Sequence, residues 1–167
     1  MKLTQKIGVC LLLISLLSAC KKDEKDDNTN LALLLALSGG TTCAVTTSGV
    51  TLPIASVTPT RNTSGSPISF TTAAGTGIGA VQVVGAVAQD IGTFTAPIGN
   101  YSVAVYKGSC PINVSSNLAV LNTDYSVQSG SLTSVSSSAS IKFLVSGNYT
   151  LILTTSNSAQ GSFGFAQ

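Results

Sequence analysis

Phe143-Leu144-Val145-Ser146-Gly147-Asn148-Tyr149-Thr150-Leu151-Ile152-Leu153 reads as a strand, a Gly-Asn turn and a second strand that starts on tyrosine. The same plan stands upstream in Phe94-Thr95-Ala96-Pro97-Ile98-Gly99-Asn100-Tyr101-Ser102-Val103-Ala104-Val105. β-Branched and aromatic residues suit a pleated, half-buried surface, and glycine supplies the positive φ of a tight turn. Both stretches predict hairpins, one on each of two opposing sheets, as a Greek-key sandwich would use them. Alternation marks faces of the second strands: Val103 and Val105 in one, Leu151 and Leu153 in the other.

The composition around these stretches agrees. From Thr41 onward Val, Thr, Ser, Ile and Gly dominate, and helix-length periodicity is missing. Strand candidates are Ala44–Thr47, Val50–Val57, Ile68–Thr72, Ala80–Ala88, Gly92–Thr95, Tyr101–Lys107, Leu118–Leu121, Tyr125–Gln128, Ser131–Val135, Ser140–Val145, Tyr149–Thr155 and Ser162–Ala166. Short β-rich runs between Gly, Pro, Asn and Ser clusters argue for an all-β domain over residues 41–167. The expectation is a Greek-key or jelly-roll-like β-sandwich of about eight or nine strands, with some of these runs merging into loops.

Ahead of that body the chain changes character twice. Leu31-Ala32-Leu33-Leu34-Leu35-Ala36-Leu37 is uninterrupted and apolar, with Asn28 to Asn30 available as caps and Ser38-Gly39-Gly40 as a stop. Leu and Ala favour a short helix over 31–37, which is marginal alone and too short to cross a membrane. It is expected to dock on the domain, lie on a bilayer or meet a partner. Residues 20–30 are a charged tether, Lys21-Lys22-Asp23-Glu24-Lys25-Asp26-Asp27 then Asn28-Thr29-Asn30, which cannot bury enough apolar surface to order itself. Residues 20–40 thus form one linking region.

Residues 1–19 have the layout of a secretory signal: Lys2 and Lys6, an apolar core from Ile7 to Leu17, then small residues. Leu17-Ser18-Ala19-Cys20 resembles the lipobox of bacterial lipoproteins. That resemblance implies cleavage before Cys20 and a diacylglyceryl group on its sulfur as the covalent lipid, with no other cofactor. Two or more acyl chains hold a protein on a bilayer stably. An ordinary cleaved signal with a chance cysteine is the competing possibility. Lys21 and Lys22 follow the anchor where enteric bacteria place an aspartate to retain lipoproteins at the inner membrane, which favours an outer membrane.

Cleavage leaves 148 residues and removes the two charges behind the formal +2. Six bases (Lys21, Lys22, Lys25, Arg61, Lys107, Lys142) then balance six acids (Asp23, Glu24, Asp26, Asp27, Asp90, Asp124). Three scattered cations in the body cannot neutralise a phosphate backbone, so nucleic acid is not expected as a partner. In an exported chain Cys43 and Cys110 form a disulfide by default, with two buried thiols as the alternative. A metal site would need more ligands, and the chain has no histidine.

Catalytic constellations are absent from the sequence. Asp90 and Asp124 stand far apart, and Ser-His-Asp chemistry needs an imidazole. Ser-Lys dyads can be drawn from Lys107 with Ser109 or Lys142 with Ser140, since i and i+2 share a strand face. Serine abundance makes such spacing a chance event, and no enzyme is expected. Gly75-Thr76-Gly77-Ile78-Gly79 lacks the following helix of a phosphate loop and fits a hairpin loop better.

Two resemblances extend the reading. Ser140 to Leu153, with a strand ending at Gly-x-Tyr and a final strand at Gly161–Ala166, resembles the close of bacterial pre-peptidase C-terminal domains. Tyr101–Gly108 resembles the tyrosine-bearing turn of that family, whose calcium-binding acids have no counterparts here. The order lipobox, Lys/Asp run, Leu/Ala stretch and Ser/Thr-rich body is similar to surface lipoproteins of leptospira-type spirochaetes. It implies a lipid-anchored, surface-exposed protein at the outer membrane and leaves the activity open; by analogy alone, the expectation is a surface interaction protein such as an adhesin, with extracellular or envelope proteins as partners. Its candidate binding loops hold Arg61 and Asn62, and Lys107 and Ser109. The alternatives are an envelope component assembling through Leu31–Leu37 and a small-ligand or carbohydrate module, the latter short of aromatics.

Overall fold

The computed structural model describes residues 41–73, 75–156 and 158–167. The expected signal, Cys20, the tether and the helix at 31–37 lie outside the described residues. Among the described residues, twelve strands make two sheets. In the first sheet are β1 (Thr41–Thr47), β2 (Val50–Val57), β4 (Thr71–Ala73), β5 (Thr76–Ala86), β7 (Ser102–Lys107), β8 (Ile112–Asn113) and β11 (Gly147–Thr155). Its order is β7-β11-β5-β2-β1-β8, with β4 also paired to β5. The second holds β3 (Ser66–Pro67), β6 (Ile91–Ile98), β9 (Tyr125–Ser129), β10 (Ser138–Phe143) and β12 (Gln160–Ala166), in the order β3-β12-β6-β10-β9.

The all-β, two-sheet expectation holds, and the strand count is corrected. Twelve strands replace eight or nine because β3, β4 and β8 are only two or three residues long, too short to carry a period-2 signal. Leu118–Leu121 and Ser131–Val135 are not strands. They supply single bridges: Tyr106 with Leu118 and Tyr101 with Val135 along the β7 edge, and Leu121 with Tyr125 at the start of β9. Gly75 turns the β4–β5 hairpin, whereas Gly77 and Gly79 already belong to β5.

The two Gly-Asn segments are not hairpin turns, a second correction. Gly99-Asn100 carries the chain from β6 in the second sheet to β7 in the first, and Gly147-Asn148 stands where the chain from β10 enters β11. Both are corners between sheets. The flanking strands pair across the repeat instead: β6 with β10, and β7 with β11, both antiparallel. Each corner is closed by its tyrosine. Tyr101 Oη donates to Thr95 O at 2.7 Å, and Tyr149 Oη donates to Val145 O at 2.7 Å. A phenol tied to an upstream carbonyl is the tyrosine-corner device of Greek-key sandwiches. Gly99, at φ 72°, has no room for a side chain, because a Cβ would stand 2.6 Å from Ser158 O. Gly161 leaves space for the Tyr101 ring, which a Cβ would meet at 2.7 Å.

Between the sheets lies the main core. Phe94 packs on Phe163 at 4.8 Å between ring centroids and Phe143 on Tyr149 at 4.7 Å, among Val81, Val83, Val105, Ile141, Leu151 and Leu153. Such aromatic pairs add about 1 kcal/mol each beyond area burial. A second core covers the other face of the first sheet. Cys43, Val45, Ile54 and Ile112 from β1, β2 and β8 pack with Ala80, Tyr106 and Ile152. The first sheet thus curls back over itself into a half-barrel, and β11 is buried on both faces from Tyr149 to Leu153. The Cys43–Cys110 disulfide, with Cα atoms 5.3 Å apart, pins this second core.

Candidate functional site

The sandwich has two distinct ends. The Gly147 end gathers Ala86, Lys107, Phe143 and Tyr125, aligned by the β5–β11, β7–β11 and β9–β10 registers. The Gly99 end gathers Gly77, Ser102, Thr155 and Gln160.

All four sequence-predicted binding residues belong to segments at the Gly147 end, and two of them are engaged inside the protein. Arg61 grips Asp90 with a two-pronged contact, Nε to Oδ2 at 2.8 Å and Nη2 to Oδ1 at 2.6 Å. Asp90 is fully buried and also accepts the Val87 N–H at 2.9 Å. The Arg61 hydrogen bonds hold its carboxyl below the usual carboxylate range, against the opposing pull of burial. Lys107 Nζ pairs with Asp124 Oδ1 at 2.9 Å, and Asp124 Oδ2 accepts the Val120 N–H at 2.8 Å. The Val120 amide, then Lys107, lowers the Asp124 pKa, while Asp124 raises that of Lys107. Asn62 sits at φ 61° and donates its N–H to Phe165 O, and Ser109 is exposed beside the disulfide.

Both pairs are joined through one strand end. Phe143 N donates to Asp90 O and Leu144 N to Asp124 O, so consecutive amides at the end of β10 connect the two carboxylate loops. A lysine held protonated by a buried carboxylate is a poor general base, which weakens the Lys107–Ser109 dyad. Ser140 Oγ is taken by Ser129 Oγ at 2.7 Å.

The Gly99 end carries concave surface that sequence reasoning missed. One groove of about 390 Å³ is lined by Thr76, Asn100, Ser102, Thr133, Ser134 and Ser156, with Tyr101 at its floor. A second of about 420 Å³ shares Thr155 and Ser156 with it and runs on to Phe70, Thr72 and Ser158. A third of about 350 Å³ continues past Phe70 and Ala159 to Pro97 and Gly161. These linings contain hydroxyls, the two amides of Asn100 and Gln160, and ring or methyl surface, but no charged side chain. Several hydroxyls are organised internally: Ser102 with Thr154 at 2.6 Å, and Thr155 Oγ1 donating to Asn100 O at 2.8 Å. Burial pushes the Tyr101 phenol up to about 12, keeping it a donor. The abundance of Ser and Thr hid this site, because each residue type signals turns equally well.

Chemically, such a surface offers hydrogen-bond donors and acceptors without a formal charge. Among the described residues no group of three or more His, Cys, Asp or Glu could hold a metal ion. Also among them, no helix is long and apolar enough to cross a membrane. The domain is an all-β, disulfide-bonded two-sheet sandwich whose concave end combines hydroxyl, amide and apolar lining without a charged side chain. Comparison with protein-family models, curated proteins and solved structures found no match.

Proposed function

We propose that this chain is a lipid-anchored, non-enzymatic envelope protein that presents its β-sandwich to extracellular or envelope proteins. Residues 1–19 are removed, Cys20 carries the lipid, and residues 20–40 connect the anchor to the domain. Leu17-Ser18-Ala19-Cys20 behind an apolar core carries this reading. The Cys43–Cys110 disulfide supports it independently, because such bonds persist in oxidising, exported compartments. Lys21 and Lys22, with the layout shared with leptospira-type lipoproteins, favour the outer membrane and an adhesin role. The Greek-key or jelly-roll-like character rests on the paired corners and their tyrosines. The binding face is the hydroxyl-lined Gly99 end, whose rigid corners fix the groove while its loops supply contacts.

Protease treatment of intact cells, followed by detection of the domain, tests this reading. Loss of the domain signal with periplasmic markers intact is the expected result, and full protection would overturn the surface role. In a binding assay with matrix and serum proteins, Asn100→Ala with Thr133→Ala is expected to weaken binding while Arg61 and Lys107 stay in place.

A further inference from the structure

The Gly147 end exposes an apolar set of loop tips that neither core uses. Val84 and Val87 flank the end of β5, Val120 and Leu121 follow β8, and Val145 follows β10. Each is between 42% and 57% exposed. Hydrogen bonds lace these loops into one surface. Gly85 N donates to Asn148 Oδ1, Ala88 N to Ser146 Oγ, Leu144 N to Asp124 O and Val120 N to Asp124 Oδ2. Two cations at this end, Arg61 and Lys107, are paired with Asp90 and Asp124, and Lys142 stands on β10 one residue before Phe143. At the other end Val50 opens β2 just after the Ser48-Gly49 turn and Ile98 stands near Gly99, away from such a set. A rigid apolar end on an otherwise hydroxyl-rich domain marks a protein or membrane contact.

The direction of the chain selects the occupant. β2 runs parallel to β5 and β1 antiparallel to β2, so β1 runs away from the Gly147 end. Through Ser56, Thr41 stands level with Ala80, partway along β5, and from there β1 runs toward the Gly99 end. Twenty residues separate Cys20 from Thr41, a reach of up to about 66 Å when extended. The concave surfaces described above are elsewhere, and tips contributed by three separate loops suit a flat surface better than a seven-residue segment.

We propose that the tips formed by Val84, Val87, Val120, Leu121 and Val145 rest in the bilayer interface, leaving the Gly99 end pointing outward. This orientation rests on lipid attachment at Cys20, and it places the grooves where a partner would meet them. Apolar residues at the head-group boundary bind in proportion to their buried area.

The chain has no tryptophan, so each introduced indole is a single reporter. The mature lipoprotein, carrying Val87→Trp, Leu121→Trp or Val50→Trp, is reconstituted in phosphatidylethanolamine–phosphatidylglycerol vesicles with brominated acyl chains. Flotation reads the anchor, and bromine quenching reads the contact. At 87 and 121 the emission is expected to shift blue and to be quenched severalfold more than at 50. Thermal melts matching the parent establish that the variants are folded. Flotation with equal, solvent-like emission at all three sites overturns the orientation and leaves the anchor intact. Blue-shifted emission without quenching also overturns it, by assigning the patch to Leu31–Leu37 or a second copy. Failure to float overturns the anchor and the orientation built on it.

Discussion

Replacing Cys43 and Cys110 together by alanine removes the bond that pins the half-barrel. The partners are 67 positions apart in sequence. In the chain-entropy treatment a loop of that size restricts the unfolded chain by about 4 kcal/mol. Cys43 is fully buried among Val45, Ile54 and Ile112, so loss of its sulfur adds a cavity cost of about 1 kcal/mol. Residues 41–167 unfold with an entropy near 2.1 cal/mol/K per residue, which makes 1 kcal/mol equal to about 4 °C. The double variant should therefore melt roughly 15 to 20 °C below the oxidised parent. Urea titration gives a second reading: a less restricted unfolded chain exposes more surface, so the m value should rise as the midpoint falls. The reduced parent should behave like the variant, apart from the cavity cost. Coincident urea midpoints for the oxidised parent and the variant would refute the reasoning and make the second core independent of the bond.

Further outcomes follow from the corners and the buried acids. Tyr101→Phe and Tyr149→Phe should each cost about 1 kcal/mol in urea unfolding, since each leaves a backbone acceptor without its phenol. Gly99→Ala should destabilise more than Gly85→Ala: both have positive φ, but only Gly99 meets backbone, at Ser158 O. Asp90 and Asp124 have folded-state pKa values below their unfolded ones. Their contribution is thus complete above the unfolded carboxylate value near pH ~3.9 and is lost as pH falls through the folded values. Melts should fall steeply below about pH 4 and stay flat from about pH 5 to 8, in a chain without histidine. Asp90→Asn should start lower and lose less on acidification.

The strand positions were largely legible because alternation and turn residues act locally. Val50–Val57 could be read directly from sequence, with Ser48 and Gly49 both at positive φ in the preceding turn. The Gly-Asn segments were not, since the same dipeptide serves a hairpin and a corner. The informative residue was the tyrosine that follows, whose hydroxyl needs a carbonyl from the strand before. The second core was partly visible in Tyr149-Thr150-Leu151-Ile152-Leu153, where apolar residues occupy both faces. Arg61 and Lys107 looked free because sequence distance conceals that Asp90 lies 29 residues and Asp124 17 residues away. In a body with only two acids and three bases, internal pairing leaves little charge for binding. The grooves had no sequence signature, because hydroxyls brought together by two sheets are indistinguishable from hydroxyls in turns.

Mass spectrometry of the amino-terminal peptide, taken from the protein's own membrane fraction, probes the anchor at its source. The mature chain should start at position 20, its sulfur bearing a thioether-linked diacylglycerol. A different first residue, or a bare thiol there, would contradict the account.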